Sequence, residues 1–213
     1  MGKGEVVPIE TQDVRGFLHR PDRDCDRGIV LTHGAGGDCR GPLLVALADA
    51  FCEMGASVLR CDLPFRQHRP KGPPSPATAA ADRAGLRSAV MTLREIVPAP
   101  ILLGGQSYGG RQASMLAADE PDIAAALLLL SYPLHPPGKP TELRTQHFPR
   151  LKMPAIFVQG TADPFGSIAE LEYALEAIPA SHRILPVENA GHDLKRGRFN
   201  LTTVIDAVRQ ALD

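Results

Sequence analysis

The segment running from Ala99-Pro100-Ile101-Leu102-Leu103 through Gly104 into Gly105-Gln106-Ser107-Tyr108-Gly109 constrains this chain more than any other. A strand-sized apolar run ends in glycines, carries one serine between them, and gives way to a helical pattern. The pentapeptide matches G-x-S-x-G, a sharp strand-to-helix turn that lifts a hydroxyl above the end of a sheet. Small flanking residues let the helix pack close against the strand. The segment therefore implies a β-α unit and points to serine-based acyl chemistry.

So short a pattern needs partners in the right chain order, and they follow. The apolar run Ala155-Ile156-Phe157-Val158 leads into Gln159-Gly160-Thr161-Ala162-Asp163-Pro164, which sets a carboxylate just past a strand end. Ile184-Leu185-Pro186-Val187 then leads to Ala190-Gly191-His192-Asp193. The order Ser, Asp, His is that of α/β-hydrolases and differs from the orders in chymotrypsin-like and subtilisin-like proteases.

Apolar runs alternate with helical patterns along the chain, the mark of β-α-β units around a mostly parallel sheet. Strands are expected near Glu5 to Ile9, Val14 to Leu18, Gly28 to Thr32, Ser57 to Cys61, Pro100 to Gly104, Ala125 to Leu130, Ala155 to Gln159 and Arg183 to Val187. Between them Leu43, Leu44, Leu47 and Phe51 share one helical face, as do Leu86, Val90 and Leu93. Ser167-Ile168-Ala169-Glu170 reads as a capping box opening a helix with Ile168, Leu171, Leu175 and Ile178 inward. Leu201, Val204, Ile205, Val208 and Leu212 give a C-terminal helix. The expectation is one α/β domain over residues 1–213, with about eight strands and helices on both faces. Two proline-rich segments, Asp62 to Pro76 and Tyr132 to Pro149, are expected to be irregular and to emerge at the sheet edge where ligands bind. Neither is long enough for a large lid, so an open or shallow pocket is expected.

A chain of 213 residues, 44% of them hydrophobic, can build one sizeable core. A formal net charge of −1 without a basic stripe gives no electrostatic case for nucleic acid. No stretch approaches the roughly 20 apolar residues that cross a bilayer, so no membrane partner is expected. Cys25, Cys39, Cys52 and Cys61 form no C-x-x-C pair, and reduced thiols in a cytoplasmic protein are the expected state. The histidines and acids lack metal-ligand spacings, so neither metal nor cofactor is expected.

Ser107 is a weak nucleophile until a base takes its proton, and His192 is the expected base, oriented by Asp163. Glu188 and Asp193 lie near His192 in sequence, but such neighbours rarely reach the correct ring nitrogen. The negative oxygen of the intermediate requires backbone N–H donors. Tyr108 supplies one; Ala35, with Gly36 next, is expected to supply the other from Leu31-Thr32-His33-Gly34-Ala35-Gly36-Gly37. His33 is expected to brace that loop. His19, His147 and His182 read as core or surface residues, while His68 and His135 lie in the irregular segments. Arg60, Arg66, His68, Arg69 and Lys71 gather around the first irregular segment, and Arg111 opens the helix behind Ser107. Such a rim fits an anionic acyl or leaving group. A solvated basic face accounts for the same residues without one.

Together the glycine-rich loop through Asp38, the elbow through Arg111, Leu130-Ser131-Tyr132-Pro133-Leu134-His135-Pro136-Pro137, Gly160-Thr161-Ala162-Asp163 and Ala190-Gly191-His192 resemble the α/β-hydrolase superfamily. The likeness is to small dienelactone-hydrolase-related members, of the KANL/Tex-like subgroup, and it spans most of the chain from Val30 onward. The resemblance implies an α/β-hydrolase fold with a Ser or Cys nucleophile at the elbow. Serine here departs from the cysteine of dienelactone hydrolases. It also implies that some relatives are scaffold components of larger assemblies. The leading reading is a serine hydrolase of small carboxylic esters or related acyl compounds, acting through an acyl-enzyme on Ser107. The rivals are a catalytically idle scaffold or binding protein, and an acyltransferase or peptidase with the same three residues.

Overall fold

The computed structural model describes residues 4–23, 25, 27–195 and 199–212. Its strands are β1 (Glu5–Glu10), β2 (Arg15–Arg20), β3 (Arg27–Thr32), β4 (Ala56–Cys61), β5 (Ile101–Gln106), β6 (Ala126–Leu130), β7 (Ala155–Gly160) and β8 (His182–Val187). They form one eight-stranded sheet in the order β1-β2-β4-β3-β5-β6-β7-β8. β1 and β2 run antiparallel at one edge, and all pairs from β4 across to β8 are parallel. Pro8 is tolerated because β1 is the outermost strand.

The helices are α1 (Pro42–Glu53), α2 (Pro64–His68), α3 (Ala79–Ile96), α4 (Tyr108–Asp119), α5 (Ile168–Leu175) and α6 (Leu201–Leu212). Successive side chains of the central strands feed two cores on opposite faces of the sheet. Leu103, Leu127 and Leu129 pack with Leu86, Val90 and Leu93 of α3 and with Ala113 and Leu116 of α4. Leu102, Leu128 and Leu130 pack instead with Leu44, Leu47 and Phe51 of α1 and with Val204 and Val208 of α6. Each such leucine removed from water contributes about 1.5–3 kcal/mol. That two-sided burial is why β5 and β6 read as continuous apolar runs rather than as alternation.

The helix faces read from the sequence turn towards the two cores, though Leu43, Ile168, Leu201 and Leu212 are only partly buried and the buried Ile178 lies beyond the end of α5. The capping box is also present: the Glu170 N–H donates to Ser167 Oγ at 3.3 Å, and the Ser167 N–H donates to Glu170 Oε2 at 2.9 Å. One segment departs from expectation. Asp62 to Pro76 does not stay irregular but opens with α2, whose first residue is Pro64. Proline suits that position because its fixed φ and missing N–H cost nothing there. No helix among the described residues is long and apolar enough to cross a membrane.

From β3 the chain moves to one side to lay down β4, and from β5 it moves to the other to lay down β6. The loops after β3 and β5 therefore diverge, leaving a crevice at the carboxyl ends of these two strands.

Candidate active site

Ser107 sits at the turn from β5 into α4 with φ 51° and ψ −116°. Such a backbone costs of the order of 1–3 kcal/mol in a non-glycine residue and persists only where its surroundings enforce it. Here its N–H donates to Leu130 O at 2.7 Å, and its carbonyl accepts from the Arg111 N–H at 2.9 Å. Two glycines make room for the turn: a Cβ on Gly105 would lie 2.9 Å from the Gly109 carbonyl carbon.

The three residues singled out by chain order meet in space. Ser107 Oγ lies 2.7 Å from His192 Nε2, and His192 Nδ1 lies 2.8 and 3.0 Å from the two oxygens of Asp163. This network assigns the proton to Nδ1, leaving Nε2 to accept from the hydroxyl. Asp163 is buried and fully engaged, with Oδ2 accepting from Gln159 Nε2 at 3.0 Å and Oδ1 from the Phe165 N–H at 2.9 Å. The Phe165 ring stacks on the imidazole at 4.1 Å between centroids, which fixes its plane. Glu188 and Asp193 make no hydrogen bond to the ring; Asp193 pairs with Lys195 at 3.6 Å.

The loop after β3 closes the crevice from the other side. His33 braces it as expected, its Nδ1–H donating to Gly34 O at 2.8 Å while Nε2 accepts from the Leu63 N–H at 3.1 Å. Burial holds this imidazole below its ordinary pKa, consistent with a neutral ring in that role. Asp62 anchors the same loop by accepting from the Cys39 N–H at 2.7 Å and from Arg15 Nη2 at 3.0 Å.

The basic cluster needs correction. Arg66 is neither solvated nor free for a ligand: it is buried, with Nε donating to Gly37 O at 2.8 Å and Nη2 to Ala35 O at 2.9 Å. It clamps the carbonyls of the glycine-rich loop. Arg60 is also buried, with Nε donating to His19 Nε2 at 2.8 Å and its guanidinium 5.2 Å from the Phe17 ring centroid. Only His68, Arg69 and Lys71 of that group are exposed.

A cleft of about 1150 Å³ opens over Ser107, where an open or shallow pocket is expected from the sequence. Pro73 to Pro76 and Ala79 wall one side, Leu43 and Leu44 of α1 another, with Met115, Phe165 and Phe199 completing an apolar lining. His68 and His135 do not line it. Among the described residues, no three His, Cys, Asp or Glu side chains gather as a metal site.

A family model described as an alpha/beta hydrolase domain matches residues 26–213. The chain belongs to the α/β-hydrolase family. Solved structures agree on the fold. A dienelactone hydrolase from Anabaena variabilis superposes with a TM-score of 0.77 at 19% identity, covering 99% of this chain and 97% of that one. Est1E from Butyrivibrio proteoclasticus gives 0.71 at 16% identity, with 97% and 96% covered; it has also been solved with ferulic acid bound. XC6422 from Xanthomonas campestris, described as an α/β serine hydrolase without a lid, gives 0.69 at 16% identity, with 100% and 96% covered.

Several side chains that shape the site of this α/β hydrolase carried no signal in the sequence. Asp82 of α3 is fully buried, accepting from the Tyr108 hydroxyl at 2.7 Å and from the Phe65 N–H at 2.9 Å, so it ties α2 and α3 to the residue after Ser107. Nor did the sequence signal the roles of Gln159 and Phe165, which hold Asp163 and His192.

His147 Nε2 lies 2.8 Å from Ser114 Oγ, with the ring buried against Phe148. Burial, then the charges of Arg111 and Arg150, push this imidazole down to about 4. A histidine whose folded pKa lies below its unfolded value near 6.5 adds stability that is full above 6.5 and is lost as pH falls towards 4. Between pH 7 and pH 5 the expected loss from His147 is about 2 kcal/mol. Urea unfolding at the two pH values should show a smaller decline in His147→Gln than in wild type, the remainder coming from His19 and His33, which are lowered by the same cause. An identical decline in both proteins would remove His147 from the account.

Proposed function

We propose that this α/β hydrolase is a cytoplasmic serine hydrolase of small carboxylic esters or related acyl compounds, acting through an acyl-enzyme on Ser107. The observation that carries the reading is the unbroken hydrogen-bonded chain Ser107–His192–Asp163 at the floor of an apolar cleft. His192 Nε2 takes the hydroxyl proton as Ser107 Oγ attacks the ester carbonyl carbon, and Asp163 stabilises the imidazolium. The carbonyl oxygen becomes an oxyanion facing the N–H groups of Tyr108 and Ala35, with Gly36 next to them. His192 then returns its proton to the departing alkoxide, and water repeats the sequence on the acyl-enzyme to release the acid.

Several features support this reading. The Arg66 clamp engages the carbonyls of Ala35 and Gly37 and so holds the loop that carries the proposed donors in one conformation. The ferulic acid held by Est1E is a carboxylic acid of the kind an ester hydrolase releases. Four unpaired cysteines suit a reducing compartment.

A fluorophosphonate probe tests the nucleophile directly. The purified protein is expected to label at one site and to hydrolyse 4-nitrophenyl acetate, and Ser107→Ala should lose both. Absence of labelling in a protein shown by circular dichroism to be folded would overturn the hydrolase reading in favour of an idle scaffold.

A further inference from the structure

Arg111 lies one helical turn beyond Ser107 on α4, and Arg144 approaches from the segment after β6; both line the cleft and both are half-buried. Among the described residues, neither guanidinium donates to a carboxylate or carbonyl. Arg111 Nε is enclosed with no acceptor, and so is the neighbouring Gln112 Nε2, whose residue is fully buried against the same cleft. Nearby acids are already engaged: Glu142 with Lys139 at 2.8 Å and Asp119 with Arg150 at 2.8 Å. The guanidinium of Arg144 is held below its ordinary pKa by burial first and then by the positive charge of Arg111, so the two cations repel one another. Buried donors are normally satisfied, and two unpaired forks sharing a cleft form an arrangement that an anion completes.

We propose that Arg111 and Arg144, with Gln112, form an oxyanion-binding subsite beside Ser107, so that the substrate is an ester carrying a carboxylate or phosphate. The inference rests on the hydrolase reading for its chemistry but not for the binding itself. One turn of helix separates the Ser107 and Arg111 backbones by about 5 Å. The anion therefore belongs a few bonds from the scissile carbonyl rather than at the far end of a long chain. A guanidinium suits this role because it stays charged and meets an oxyanion with two parallel donors.

The test compares 4-nitrophenyl hemiglutarate with 4-nitrophenyl pentanoate, which match in length and differ by one negative charge. Wild type is expected to favour the hemiglutarate in kcat/KM. The ratio of the two values should fall about 10- to 100-fold in Arg111→Met and, independently, in Arg144→Met. Arg111→Lys should recover part of it. Monomethyl glutarate and methyl phosphate, as competitive inhibitors in the same assay, identify which anion is taken. A ratio unchanged in both methionine variants overturns the subsite while leaving the hydrolase intact. If neither ester is turned over in a Ser107-dependent way, the hydrolase reading fails and the subsite is decided by ligand-observed NMR with monomethyl glutarate. Binding lost in Arg111→Met then upholds it, and binding absent from wild type or retained in the variant overturns it.

Discussion

Replacing His192 by alanine is expected to lower kcat for 4-nitrophenyl acetate by at least about 10⁴-fold, because residues that act as one proton-transfer unit fail together. The imidazole accepts from Ser107 Oγ at 2.7 Å, and no other base among the described residues hydrogen-bonds that oxygen. Fold should survive, since His192 is partly exposed in the loop after β8 and its ring supports neither core. Asp163→Asn is expected to cost of the order of 10³- to 10⁴-fold through a different failure. Both carboxylate oxygens now accept, one from Gln159 Nε2 and the other from the Phe165 N–H, and the His192 Nδ1–H points between them. An amide must set its NH₂ against one of those donors, in either orientation. The imidazole then favours the tautomer with the proton on Nε2, which cannot accept from the serine. The misplaced donor should also lower stability by about 1–3 kcal/mol. Steady-state kinetics with thermal melts separate the two variants: His192→Ala slow with little change in melting, Asp163→Asn slow and melting earlier. Retention of near-wild-type turnover by His192→Ala would remove the proposed base.

How far the sequence discloses this molecule depends on how local each signal is. β6 is legible because all five residues from Ala126 to Leu130 are buried, so an unbroken apolar run could be little else between two turn signals. Ser107, Asp163 and His192 are legible because each sits just past a strand end, where chain order and strand placement can be read together. Gln159, Asp82 and Arg66 are not, because each is a lone polar residue and its meaning lies in a partner brought near by the fold. Arg66 reads as one more charge in a basic stretch until Ala35 and Gly37 appear beside it. Arg60 did carry a clue: it lies within β4 between Leu59 and Cys61, in a strand buried along its whole length. Density of proline misled over Asp62 to Pro76, where Pro64 starts a helix rather than preventing one.

Gly109→Ala is expected to damage stability and turnover together, and the contrast with Gly36→Ala makes the cause visible. A Cβ on Gly109 would lie 2.4 Å from the His33 carbonyl oxygen, 2.6 Å from Thr32 Cγ2 and 3.2 Å from the His33 carbonyl carbon. Two of those atoms are backbone at the end of β3, so no side-chain rotation relieves the clash. Either α4 withdraws from the sheet or the loop that begins at His33 is pushed outward. Overpacking of this kind costs about 1–3 kcal/mol. The same displacement separates the Tyr108 N–H from those of Ala35 and Gly36, the donors proposed to meet one oxyanion. Losing alignment of one such donor costs about 100-fold or more in kcat. A Cβ on Gly36 meets nothing within 4 Å, so Gly36→Ala should stay within about 0.5 kcal/mol of wild type in urea unfolding. Equal destabilisation of both variants would mean that the loop tolerates no side chain anywhere, and that close approach of α4 to β3 is not what requires glycine at position 109. A stable, slow Gly109→Ala protein would instead show that the loop gives way before the helix does. The spacing of the N–H groups would then depend on helix–strand contact more than on the Arg66 clamp.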